Sequence, residues 1–142
     1  MGLYADEIIA ACQRLGCNCK LLTSTEAAAI HTGIERRFTR QANGAPFWER
    51  LHSDSSIYDK NGWKLIQNFT SGEPLLIFFE WNEDQSFIML EAGANLTAIL
   101  ADCVGFVFYV ANATFDYLFC FNDHDFLIAV GLAAEWITYL KQ

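Results

Sequence analysis

The sequence predicts an α+β fold: N-terminal helices, then a mainly antiparallel sheet of about five strands packed with helices, and a closing C-terminal helix. Three observations carry this. Before residue 72 the apolar residues recur at helical spacing, as Ile8, Ile9, Cys12 and Leu15, then Ala27, Ile30, Ile34 and Phe38. After residue 73 the period changes, and "FVFYV", "YLFCF" and "FLIAV" are apolar at nearly every position and rich in aromatic and β-branched residues. Such runs belong to strands covered on both faces. The connections between them, "ANATFD" and "NDHD", are short, which favours antiparallel neighbours.

The elements follow in order. Residues 3–15 form a helix with Asp6 and Glu7 in its first turns and Gly16 to close it. "CKLL" (19–22) is a short edge strand. Thr23 and Glu26 make a capping box for a second helix, which ends in the basic cluster Arg36, Arg37 and Arg40 before the turn-rich "QANGAP". A helical turn spans Phe47 to Leu51. The polar "HSDSS" precedes a helix around 59–70 with Trp63, Ile66 and Phe69 on its core face, stopped by "TSGEP". "LLIFFEW" (75–81) and "SFIML" (86–90) are strands. Asn95 caps a short helix that ends at Gly105, the three apolar strands follow, and residues 132–140 form the closing helix.

All 142 residues fit one domain, without repeats or a low-complexity linker. A hydrophobic content of 53%, with 15% aromatic residues, argues for a sizeable core rather than disorder. The start "MGLYADEIIAACQRLG" lacks a basic segment and carries acids where a signal peptide is apolar. The longest uncharged apolar run falls far short of the roughly 18 residues of a membrane span. A soluble cytoplasmic protein is expected, in which the sequons at Asn68, Asn95 and Asn112 carry no glycan. Of the five cysteines, Cys17 and Cys19 form a CxC, too close for an ordinary zinc knuckle half, and Cys103 and Cys120 read as buried thiols.

The net charge of −8 is unevenly distributed. Residues 1–72 hold seven acids against eight bases (+1), whereas residues 73–142 hold ten acids against Lys141 alone (−9). So acidic a half repels phosphate backbones and anionic membranes and attracts a basic protein. Direct nucleic-acid and membrane binding are therefore not expected.

Few residues point to chemistry. Asp123, His124 and Asp125 could poise an imidazole for proton transfer or offer metal ligands, but consecutive side chains diverge, and Asn122 or Asp123 suits the cap of a hairpin turn. His31 shares a helix face with Ala27 and Ile34, as a packed core-edge histidine does, and His52 lies in a polar loop. No HExxH, GxSxG, P-loop or GxGxxG occurs, so neither a cofactor nor a resident metal is expected. "FFEWNEDQSF" places Glu80, Glu83 and Asp84 around Trp81, an acidic rim about an aromatic anchor.

"NGWKLIQNF…PLLIFFEW" and "GFVFYVANATFDYLFCFNDHDFLIAVGLAAEWI" together resemble a family of small bacterial immunity proteins of contact-dependent growth inhibition and related polymorphic toxin systems. The resemblance rests on Gly62, Trp63, Phe79, Glu80, Gly105, Phe106, Phe108, Tyr109, Asn112, Asp116, Tyr117, Cys120, Phe121, Asn122, His124, Asp125 and Trp136. Ala111 stands where that pattern has Thr, and Asp123 where a second His is frequent. It spans roughly residues 60–140. What it implies is a non-catalytic protein that binds a cognate toxin C-terminal domain, often a basic nuclease such as a tRNase, and occludes its active site. Glu80, Trp81, Glu83, Asp84, Asp116, Asp123 and Asp125 are the expected toxin contacts. The alternatives are a small metal-dependent or acid/base enzyme using Asp123, His124 and Asp125, and a general interaction module.

Overall fold

The computed structural model describes residues 2–40, 47–103 and 105–142. The turn expected at 41–46, with Pro46, lies outside the described residues. Helix α1 (Leu3–Leu15) closes on Gly16 in the left-handed region, and α2 (Ser24–Phe38) opens on Thr23, whose hydroxyl accepts from the Glu26 N–H while Glu26 Oε1 accepts from the Thr23 N–H. The capping box read from the sequence is therefore present. Two short helices, α3 (Phe47–Arg50) and α4 (Ile66–Thr70), precede the main strands, and α4 is extended backwards by a 3-10 turn over Gly62–Leu65. The single helix expected over 59–70 is thus a 3-10 turn followed by a short α-helix, starting at Gly62. Helices α5 (Leu96–Ala101) and α6 (Leu132–Leu140) complete the set.

Seven strands form one antiparallel sheet: β1 (Cys19–Leu21), β2 (Ser55–Tyr58), β3 (Leu75–Phe78), β4 (Phe87–Leu90), β5 (Phe108–Asn112), β6 (Tyr117–Phe121) and β7 (Phe126–Gly131), in the order β1-β4-β3-β5-β6-β7-β2. The α+β architecture is as the sequence predicts, with a longer sheet. The added strand is β2, an edge paired with β7 from Ser55↔Ala129 to Tyr58↔Phe126. Its "SSIY" carries no apolar alternation, because an edge strand with half-exposed residues has little to bury. Strand β3 is shorter than expected. The chain turns after it, and the Glu83 and Asp84 N–H groups donate to the Glu80 carbonyl at 2.9 and 3.0 Å.

Both faces of the sheet are buried, as the unbroken apolar runs require. Along the central strands alternate residues divide cleanly. Leu75, Ile77, Val110, Phe119 and Ala129 pack under α1, α4, α5 and α6. Leu76, Phe78, Tyr109, Leu118, Cys120 and Ile128 pack under α2 and α3. The period of two is invisible in the sequence because both sides are apolar. Cys12 and Cys120 are buried, whereas Cys103, expected inside, is half-buried. Asn95 does not cap α5 with its side chain; the Gln67 Oε1 takes the Thr97 N–H at 2.8 Å instead. No described helix is long and apolar enough to cross a membrane.

Candidate functional site: an acidic, aromatic-walled cleft

Register places the expected contact residues at two opposite ends of the sheet. Phe78 pairs with Tyr109 and Phe108 with Phe121, so the chain after β3, the start of β5 and the β6–β7 turn converge at one end. That end holds Glu80, Trp81, Glu83, Asp84, Asp123 and Asp125. Asp116 sits in the β5–β6 turn at the far end and is not brought together with the others. There it orders its own turn: its carboxylate accepts from Thr114 Oγ1 (2.7 Å) and Asn112 Nδ2 (2.9 Å), and its N–H donates to Asn112 Oδ1. These donors, the Thr114 hydroxyl foremost, hold its pKa below the usual carboxylate value.

Asp84 also departs from its expected place. It is buried at 4% exposure, with Oδ2 accepting from the Ala5 N–H and Oδ1 from the Ser86 N–H, each at 3.0 Å. Ala5 lies in the first turn of α1, whose N-cap, Gly2, offers no side chain. Asp84 therefore caps a helix 79 positions away in sequence and fixes the 80–83 turn against it. A buried side chain so engaged is a positioning residue, not part of an exposed contact surface.

Four of the remaining five line a cleft of about 950 Å³: Glu80, Trp81, Glu83 and Asp123. Helices α2 and α3 add His31, Glu35, Trp48 and Arg50, and Tyr4 and Phe106 complete the aromatic wall. Glu80 is half-buried, and one of its oxygens accepts the phenol O–H of Tyr109. Burial raises the Tyr109 pKa well above its usual value, so that hydroxyl is a permanent donor and fixes the Glu80 rotamer. Glu83 and Asp123 are exposed. Asp125 adopts a left-handed φ of 64° and lines an adjoining hollow of about 500 Å³ with Lys60 and Trp63, Asp123 and Phe106 lining both.

His31 was legible only as a core-edge histidine, and the structure gives it more. It is buried, its ring stacks on Trp81 at 4.1 Å between centroids, and Nδ1 lies 3.3 Å from Glu35 Oε1. Arg50 Nη1 approaches the other Glu35 oxygen at 3.4 Å. Burial, opposed by Glu35 and assisted by Arg50, lowers the His31 pKa from its ordinary 6.5. The unfolded chain then takes up a proton below pH 6.5 that the folded chain refuses until the lower value is reached. His31 should therefore make stability fall as pH drops through that window. The unfolding free energy measured from pH 8 to 5 should decline more steeply for the wild type than for His31→Phe; parallel curves would remove His31 from the pH dependence.

The Asp123–His124–Asp125 segment is the tip of the β6–β7 hairpin. Asn122 Oδ1 accepts from the His124 N–H (3.0 Å) and the Phe126 N–H (3.1 Å), which is the cap expected of that residue. The His124 imidazole is exposed and its ring nitrogen lies 3.5 Å from Asp123 Oδ1. Among the described residues, no three His, Cys, Asp or Glu side chains converge as metal ligands would.

Compared with known protein families, curated proteins and solved structures, the chain finds no match.

Proposed function

We propose that this chain is an immunity protein that binds the C-terminal domain of a cognate toxin, a basic nuclease, in the bacterial cytosol and neutralises it by covering its active site. The observation that carries this reading is the gathering of Glu80, Trp81, Glu83 and Asp123 around one cleft at one end of the sheet. Glu35, Glu80, Glu83 and Asp123 give that end an acidic surface with an aromatic anchor, in a chain of net charge −8. A nuclease needs positive charge to meet phosphate, so the same charge draws it to this surface and speeds encounter. The family resemblance over residues 60–140 points the same way. No catalytic step is assigned: the Asp-His-Asp segment uses its backbone to close a turn.

A large protein with a variable C-terminal domain should be encoded beside this chain; co-expression with that domain should yield a stoichiometric complex, and the purified chain should abolish its nuclease activity. A domain that remains active and unbound overturns the proposal. Within the complex, Glu83→Lys with Asp123→Lys should slow association by about tenfold at low salt, with the deficit shrinking as ionic strength rises. Stopped-flow mixing at several salt concentrations checks this, and association rates equal to wild type at every salt would reject the electrostatic account.

A further inference from the structure

Three observations on the cleft converge on one kind of occupant. The first is charge. Glu35, Glu80, Glu83 and Asp123 line it, against Arg50 as the cation among the described lining residues, and Arg50 is already directed at Glu35. The second is shape and surface. Trp81, Trp48, Tyr4 and Phe106 are half-buried, so each keeps ring surface open in a concave, acid-rimmed site. Aromatic faces beside carboxylates attract a delocalised cation.

The third observation is a missing hydrogen bond. His31 Nε2 is buried and has no hydrogen-bond partner, alone in this among the described side chains. Its protonation follows from its other edge. Glu35 Oε1, 3.3 Å from Nδ1, can only accept, which favours the tautomer protonated at Nδ1, and burial favours the neutral ring. Nε2 is then a bare lone pair that needs a donor. A buried acceptor without a partner costs stability, and such atoms are few in folded proteins. The side chain is only 9% exposed and the Trp81 indole lies over its ring, so water does not reach it freely.

We propose that this cleft is a receptor for one arginine side chain of the partner, whose guanidinium donates to His31 Nε2, pairs with Glu80 and Glu83, and stacks on Trp81. Arginine fits better than lysine because a planar, five-donor head can satisfy an imidazole and two carboxylates at once and still lie flat on an indole. The inference rests on the proposed toxin-binding role for the identity of the partner, but not for the chemistry of the site.

The test uses the whole chain and small probes. N-acetyl-arginine amide, its lysine counterpart and its neutral citrulline analogue are titrated while the His31 ring nitrogens are followed by 15N NMR, the His31→Phe spectrum identifying the resonance. Arginine amide should shift Nε2 saturably, in the direction of an acceptor gaining a hydrogen bond, and bind at least about fivefold tighter than the citrulline analogue. His31→Phe, which keeps a ring against Trp81, should weaken arginine amide about tenfold; that factor corresponds to ~1.4 kcal/mol. Glu83→Gln, at an exposed position, should weaken it several-fold without disturbing the fold. An unmoved Nε2 resonance, equal binding of citrulline and arginine amides, or undiminished binding to both variants each overturns the proposal. Arginine binding without any toxin complex would leave this site standing and fell the immunity reading; a toxin complex indifferent to His31→Phe and Glu83→Gln would do the reverse.

Discussion

Replacing Asp84 with alanine is expected to lower the thermal midpoint by about 10 °C, the largest effect of any single change among the loop acids. Two backbone N–H groups lose their acceptor together: Ala5 in the first turn of α1 and Ser86 at the approach to β4. Hydrogen bonds to a charged group contribute about 1.5–3 kcal/mol each, and a buried donor left unpaired bears its full desolvation cost. The helix also loses a negative group beside its positive end. The lower end for the two bonds already comes to about 3 kcal/mol, and for a domain of this size each kcal/mol moves the midpoint by about 3–4 °C. Asn is a poor substitute, because one of its two polar ends would present N–H to an N–H. Asp84→Asn should therefore recover less than half of the loss, whereas Glu83→Ala, one residue away and exposed, should shift the midpoint by less than 2 °C. Circular dichroism melts of the three variants decide it, and amide exchange should speed up in the first turns of α1 in Asp84→Ala and not in Glu83→Ala. A melt unchanged from wild type would mean that Ala5 finds another acceptor.

The contrast between Asp84 and Glu83 shows where the sequence stops being legible. Both are acids in one loop beside an indole, and nothing in their spacing separates them. The distinction is made by a contact spanning 79 positions, between Asp84 and the end of a helix with a bare glycine cap. Local signals read well where the physics is local. The helix over 3–15, the capping box at Thr23 and Glu26, the closing helix at 132–140 and the Asn122 turn all depend on neighbours in sequence, and all stand as expected. Strand β2 did not, because an edge strand is defined by its partner β7 rather than by its own pattern.

The cleft was half legible for the same reason. Glu80, Trp81 and Glu83 share a loop, and Asp123 joins them through sheet register, which also carries Asp116 to the opposite end. His31, Glu35, Trp48 and Arg50 come from the N-terminal segment, outside the span of the family resemblance. The face shared by His31, Ala27 and Ile34 pointed correctly to burial. What it could not show was Trp81 across the interface, or that one imidazole nitrogen would be matched by Glu35 and the other left without a partner.

Gly131 is the position where a single methyl group should do the most damage. It joins β7 to α6 with φ 69° and ψ −144°, a combination close to the region occupied by glycine alone. A Cβ there would stand 2.4 Å from the Asp116 carbonyl oxygen and 3.1 Å from Tyr117 Cα. Both are backbone atoms of the neighbouring strand connection, so neither can swing aside as a side-chain tip would. The same carbonyl accepts the Leu132 N–H at 2.9 Å, the bond that seats the start of α6. Gly131→Ala must break that bond or push β6 and β7 apart, and dihedral strain with overpacking comes to about 3–5 kcal/mol. Gly16 supplies the control. It too has a positive φ, 71°, but a Cβ there meets nothing within 4 Å. Gly16→Ala should cost only the left-handed penalty of about 1–2 kcal/mol. Urea unfolding of the two variants separates strain from collision. Free energies equal within error would show that the Asp116 carbonyl yields, and that α6 is held by Ala133 and Ile137 in the core rather than by the geometry of its first residue.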